Sequence, residues 1–254
     1  IENAGYIILQ NIRILYSHRA GIIVRNSRNI EIDGCVVDNS YNSAIGIWYS
    51  DSVKVLHCDV TQANDQGKRM PFDRLGREAP HEAISIAGVR FFEVGYNHVH
   101  LCYKEGIDCK EVSAHGSIHH NLVHNNSRQG IYLDAWFGEL KDVDEYENTI
   151  YHCEYGIALS VECDTSYMNN VRIHHNLIYN NRGSGIIMGV WGKNLSRKNI
   201  YIFNNTICNN GSPAHWSGAT GGIDIRSSNI SDVYIMNNIS VNNYAFDIAS
   251  FDNT

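Results

Sequence analysis

Two short patterns, each recurring about every 23 residues, predict an all-β fold, a right-handed parallel β-helix of roughly nine coils. The first pattern is x-G-I-x-Φ-x, with Φ apolar. It appears as "AGIIVR" (20–25), "SAIGIW" (43–48), "EAISIA" (82–87), "EGIDCK" (105–110), "QGIYLD" (129–134), "YGIALS" (155–160), "SGIIMG" (184–189) and "GGIDIR" (221–226). The second alternates with it, as "SIHHNLVHNN" (117–126), "RIHHNLIYNN" (172–181), "YIFNNTICNN" (201–210) and "YIMNNISVNN" (234–243). The third observation is that only 3 prolines occur in a chain conspicuously rich in asparagine. Proline lacks the N–H that a stacked ladder needs, so its scarcity fits.

The isoleucines of the first pattern (Ile22, Ile45, Ile84, Ile107, Ile131, Ile157, Ile186, Ile223) are 23, 39, 23, 24, 26, 29 and 37 residues apart. A 23-residue unit with insertions describes these spacings. One coil cannot bury its inner face alone, whereas stacked coils form a continuous core. Ile22/Val24, Ile84/Ile86, Ile107/Cys109, Ile131/Leu133 and Ile223/Ile225 are the expected inward stacks, with neighbouring strands about 4.8 Å apart. In the second pattern Asn97, Asn121, Asn148, Asn176, Asn205 and Asn238 share a column, extended by Cys35 and Cys58. Stacked asparagines hydrogen-bond from coil to coil and accept the left-handed backbone of a tight turn. A leucine-rich repeat would need a leucine pattern and a helical half, and both are missing.

The chain is read as a single domain over residues 1–254, long enough for a real core. With 43 % hydrophobic and 19 % charged residues it is neither disordered nor fibrous. A net charge of −7 argues against a nucleic-acid partner, and no apolar run reaches the roughly 18 residues of a membrane span. The seven cysteines make no CxxC pair and read as small buried hydrophobes. Neither end carries a helical cap, so the native chain is expected to be longer, or to cover its open ends with another subunit, as in a homo-oligomer, or with additional domains.

Strand phase locates the chemistry. In x-G-I-x-Φ-x the residues flanking Φ face outward. One outward column reads Ile23, Gly46, Ser85, Asp108, Tyr132, Ala158, Ile187, Asp224, and the next Arg25, Trp48, Ala87, Lys110, Asp134, Ser160, Gly189, Arg226. The opening residues form a third column that includes Glu82 and Glu105. Glu82, Glu105, Asp108, Lys110 and Asp134 therefore converge on one outer face. Lys110 and Asp134 fall on adjacent coils, where they would form a surface ion pair or part of a site. Asp108 and Asp134 are diagonal neighbours, with Cα atoms roughly 8 Å apart, a range that suits acid and base or acid and nucleophile in glycoside cleavage. Stacking Glu82 on Glu105 should raise one carboxyl pKa, as a general acid requires.

The extra residues of the long coils fall at 62–81, 136–147, 161–169, 190–198 and 211–220, where loops would wall a groove. They carry Trp136, Trp191 and Trp216, while Trp48 lies on the face itself, and indole faces are platforms for sugar rings. His81, with His115 behind it, is the favoured binding histidine. His119, His120, His124, His174 and His175 recur with the repeat and read as turn residues. The histidines are read as carrying neither an H-x-H nor an H-E-x-x-H spacing, so no metal site and no cofactor are expected.

The segment "EGIDCKEVSAHGSIHHNLVHNNSRQGIYLDAW" (105–136) resembles the bacterial right-handed parallel β-helix proteins that act on polysaccharides. Within that class the chain is similar to the β-helix glycoside hydrolases, including the β-xylosidase-like family. That resemblance implies a carbohydrate substrate, a secreted, periplasmic or cell-surface location, two acidic catalytic residues on the outer face and a His-Glu pair in binding. His81-Glu82 matches the pair, Asp108 the nucleophile, and Asp134 or Glu105 the partner acid. A second resemblance is to β-helix polysaccharide lyases and alginate C5-epimerases. It implies Lys110 as base, with Ca²⁺ held by Asp108, Glu82, Glu105 and Asp134. The "APHE" at 79–82 lacks the aspartate of the epimerase motif. A third resemblance, to tail-spike and adhesion β-helices, implies glycan binding without cleavage.

Overall fold

The recurrence of one isoleucine-centred strand per coil produces three sheets of nine parallel strands each in the computed structural model, which describes residues 1–65 and 81–251. The first sheet takes the x-G-I-x-Φ-x strands, from Ile22–Arg25 through Ile84–Ala87, Ile107–Glu111 and Ile131–Ala135 to Ile248–Ser250. The second runs from Gly5–Gln10 to Ile230–Met236, and the third from Arg13–Ser17 to Ile239–Val241. Strands stack in chain order in every sheet, so the architecture is the β-helix that the sequence predicts. No helix of the described residues is long and apolar enough to cross a membrane.

Register follows the predicted columns. Ile107 pairs with Ile84 and Ile131, Asp108 with Ser85 and Tyr132, and Lys110 with Ala87 and Asp134. The inward residues Ile45, Ile47, Ile84, Ile86, Ile107, Ile131 and Leu133 are fully buried in one continuous core. Each such side chain contributes about 1.5–3 kcal/mol by leaving water. Five cysteines (Cys35, Cys58, Cys102, Cys109, Cys153) are buried in that core, and all seven are free thiols.

The asparagine column is a hydrogen-bonded ladder. Each side-chain amide donates to the side-chain oxygen of the next coil's asparagine, at 3.0 Å for Asn97–Asn121, Asn121–Asn148, Asn148–Asn176 and Asn176–Asn205. The residue before each rung, such as Tyr96, His120, Glu147 and His175, takes a left-handed backbone, with φ between 53° and 59° in these four. His120 and His175 are thus turn residues, as their recurrence suggests, whereas His119, His124 and His174, read as turn residues too, end strands. A second ladder, not seen in the sequence because cysteines interrupt it, runs through Asn181, Asn210 and Asn243 at the next corner. There Asn126 and Asn181 accept bonds from the backbone N–H of Cys102 and Cys153.

One expectation about the insertions is corrected, and another lies largely outside the described residues. Residues 136–147 are not mainly a loop. After a turn at Phe137 and Gly138 they form the strand Glu139–Tyr146, which pairs with Tyr167–His174 because inward Leu140 and Val143 have a core to fill. Within the stretch 62–81, residues 66–80 lie outside the described residues.

Candidate active site

The outward columns of the first sheet form the floor of a cleft of about 860 Å³, which includes Trp48, His81, Glu82, Glu105, Asp108, Lys110, Asp134, Trp136, Trp191 and Trp216. This face is not open to solvent as a simple outer surface would be. Glu82, Glu105, Asp108 and Asp134 are each at most 6 % exposed, sunk beneath the side chains and loops that wall them. Asp108 nevertheless faces the cleft, since its carboxylate reaches the Lys110 ammonium at 3.4 Å.

Lys110 does not pair with Asp134. Its Nζ donates to both oxygens of Glu82, at 2.8 and 2.7 Å, and lies 5.9 Å from the centre of the Trp48 ring. Ser85 also donates to Glu82, at 2.9 Å. Burial disfavours the ammonium, but Asp108 and Glu82 outweigh it and hold the lysine above its ordinary range. Burial likewise pushes Glu82 up, yet Lys110 more than offsets this and keeps it an anion. His81 stands edge-on to Trp48, with ring centres 4.5 Å apart. Burial and the Lys110 charge lower its pKa to about 4, so its imidazole is neutral.

The remaining carboxyls go the other way. Burial and then the Glu82 charge raise both Glu105 and Asp108, Asp108 well above the usual carboxylate range. Of the stacked pair Glu82 and Glu105, one is thus ionised and the other raised. Burial and the nearby Glu162 push Asp134 up to about 8. The Trp136 indole N–H donates to Asp134 Oδ2 at 2.7 Å, so this tryptophan orients a carboxyl as well as lining the cleft. Asp134 Oδ1, Asp108 Oδ1 and Glu105 Oε2 have no hydrogen-bond partner among the described residues. Buried polar atoms are normally paired, so three orphans at one cleft are conspicuous.

Sequence reasoning misses several cleft residues. The Tyr132 hydroxyl donates to Glu162, whose pKa burial raises. Tyr132 was in an outward column but carried no charge to mark it, and Glu162 sits where an insertion begins. Glu154 collects the Trp216 indole N–H at 2.7 Å, His215 at 2.8 Å and Arg182 at 2.8 Å. Trp216 is 71 % exposed and Trp191 packs against Tyr132 and Tyr155.

His115 is a correction. It does not line the cleft but belongs to the second sheet, where it meets Asp142 at 3.0 Å and stacks on Phe91. Its backbone (φ 58°) shares a left-handed corner column with Ser52, Phe91, Asp142 and Asn170, which sends the side chain out of a different face. The reading of the histidines also overlooks one H-x-H, His98-Val99-His100, on the third sheet.

Fold and cleft define the class, a parallel β-helix with an acid-lined groove across one sheet. The chain belongs to the right-handed β-helix family, whose description, "Right handed beta helix region", matches residues 1–144. No curated protein sequence matches it. Among solved structures it is similar to the periplasmic alginate epimerase AlgG, with a TM-score of 0.64 and 13 % identity over 87 % of this chain and 47 % of that one. It is also similar to endo-xylogalacturonan hydrolase from Aspergillus tubingensis, with a TM-score of 0.63 and 9 % identity over 92 % of this chain and 73 % of that one. A third likeness is the Dettilon tailspike protein, with a TM-score of 0.54 and 15 % identity over 91 % and 54 %. The chain spans about half the length of the epimerase and of the tailspike. At such identities these likenesses speak for the fold alone.

Proposed function

We propose that the protein is a glycoside hydrolase that cleaves a polysaccharide or oligosaccharide lying across the first sheet. The observation that carries this reading is the set of unpartnered carboxyl oxygens of Asp108, Asp134 and Glu105 on one cleft floor. Asp134, held protonated near neutrality, is the general acid that delivers a proton to the leaving oxygen. Asp108, raised well above the usual carboxylate range by burial and the Glu82 charge, is the partner that attacks the sugar or activates water once it has lost its proton. Its anion is favoured by the Lys110 ammonium at 3.4 Å. Glu105 stays in reserve as a second acid, and Lys110 fixes the charge of Glu82. Trp191 and the exposed Trp216 are the sugar platforms, with Trp48, His81 and Glu82 binding hydroxyls at the other end. Lys110 as the proton-abstracting base of a lyase or epimerase is disfavoured, because a doubly bonded ammonium held above its usual range has no free lone pair. The acidity of the groove also suits a neutral sugar better than a uronate. A secreted, periplasmic or surface location accords with such a substrate.

The test is a screen of neutral and uronic-acid glycans with and without EDTA. Reducing ends released from a neutral glycan, independent of EDTA, are expected. Unsaturated products that require Ca²⁺ would instead mean a lyase, and binding without turnover an adhesin.

A further inference from the structure

The third sheet carries a second cluster, none of whose members lines the cleft. His98 and His100 lie two residues apart on the strand His98–His100, so both side chains leave the same face. His124 pairs with His100 from the next coil, and Asp59 pairs with His98 from the coil before. Side chains of three successive coils therefore meet in one patch.

The contacts within it are those of a ligand set. His98 Nε2 is 2.9 Å from His124 Nε2, and one ring nitrogen of each of the three histidines lies within 4.8 Å of the others. Asp59 Oδ1 is 3.3 Å from His98 Nδ1 and 3.2 Å from His100 Nε2. Tetrahedral zinc with N ligands at 2.0–2.1 Å needs nitrogens roughly 3.3 Å apart, a spacing these side chains reach by small rotations.

Stacking links all three rings, with the His98 and His100 centres 4.0 Å apart and nearly parallel. His100, His124 and Tyr151 form a column, with His124 and Tyr151 centres 4.7 Å apart and nearly parallel. Stacking on His100 does not by itself explain why His98, in the column of Asp59 and Leu122, also turns its Nε2 diagonally onto His124. Asn125 is placed to fix the His124 tautomer, its side-chain amide 2.8 Å from Nδ1. An amide flip lets it accept the Nδ1 proton and leaves Nε2 free for a metal.

The geometry points to a divalent transition-metal site formed by His98, His100 and His124, with Asp59 holding His98 through Nδ1, so that three coils are stapled together. Zn²⁺ or Ni²⁺ suits imidazole donors of this kind. The test is calorimetric titration of Zn²⁺ into the EDTA-treated full chain, with thermal unfolding followed in parallel. One ion per chain, a raised unfolding midpoint and at least tenfold weaker binding in His98→Gln and His124→Gln are expected. No saturable uptake, or undiminished uptake in both variants, overturns the site. If a variant fails to fold, the unaltered chain with Co²⁺ decides. Visible d–d bands of a low-symmetry imidazole site support the proposal, and the spectrum of aqueous Co²⁺ alone refutes it.

Discussion

The Lys110 ammonium is shared between the two carboxylate oxygens of Glu82, at 2.7 and 2.8 Å, although 28 residues separate them in sequence. The pair is nearly shut off from water, with side chains 12 % and 8 % exposed. Removing one partner of a buried pair leaves an uncompensated charge, which costs about 3–5 kcal/mol. Lys110→Met is therefore expected to lower stability by about that amount in urea unfolding. The double variant Lys110→Met/Glu82→Gln should recover part of the loss, because the orphan anion has gone.

Asp134 is expected to couple pH to stability and, under the proposed function, to turnover. Its folded pKa of about 8 stands above the ordinary value of 3.8. A raised carboxyl pKa means that the native state holds the proton more tightly. The resulting stabilisation is whole below about pH 4 and is lost by the time the pH has risen through about 8. Asp134→Asn should flatten this part of the stability–pH curve without unfolding the chain, while kcat falls by about 10²–10⁴-fold. Unfolding midpoints from pH 4 to 9 together with glycan turnover check both halves.

Glu145 points into the core, in a column with Ile118 and Ile173, and neither of its oxygens has a partner among the described residues. Burial raises its pKa to about 8, so it lies neutral among apolar neighbours. A buried polar group without a hydrogen bond costs about 1–3 kcal/mol. Glu145→Leu is accordingly expected to stabilise the protein by a similar amount, most of all above pH 8, where the wild-type carboxyl must ionise. Thermal unfolding at pH 6 and pH 9 reads the difference.

Asn148 sits mid-ladder, donating to Ile118 O and Asn176 Oδ1 and accepting from Asn121. Asn148→Ala leaves the buried Asn121 N–H without an acceptor, at about 1–3 kcal/mol for each unsatisfied group. The variant should unfold at distinctly lower denaturant than a matched substitution at an exposed turn such as Asn204→Ala.

The fold was legible because a period-23 isoleucine sets the strand phase, and phase alone assigns Asp108, Lys110 and Asp134 to outward columns. Columns do not say where a long side chain goes. Lys110 could reach Asp134 or Glu82, and the choice depends on burial that only the walls create. Glu145 was equally hidden, since "VDEYE" offers two phases and one of them buries a glutamate. His115 defied its neighbourhood because it sits in a left-handed corner column that elsewhere holds Asn, Asp, Ser and Phe, and a histidine does not by itself announce that backbone. Glu162 and Glu154 enter the cleft at an insertion and a turn, where the repeat no longer predicts direction.

Proton donation by Asp134 is tested most directly by comparing Asp134→Asn with the wild type on two substrates of one sugar, the glycan identified by the screen and an aryl glycoside with an activated leaving group. A leaving group that needs no proton bypasses the acid. The account predicts that Asp134→Asn loses about 10²-fold or more on the glycan while keeping most of the first-step rate on the aryl glycoside. Equal rates for variant and wild type on the glycan would contradict it.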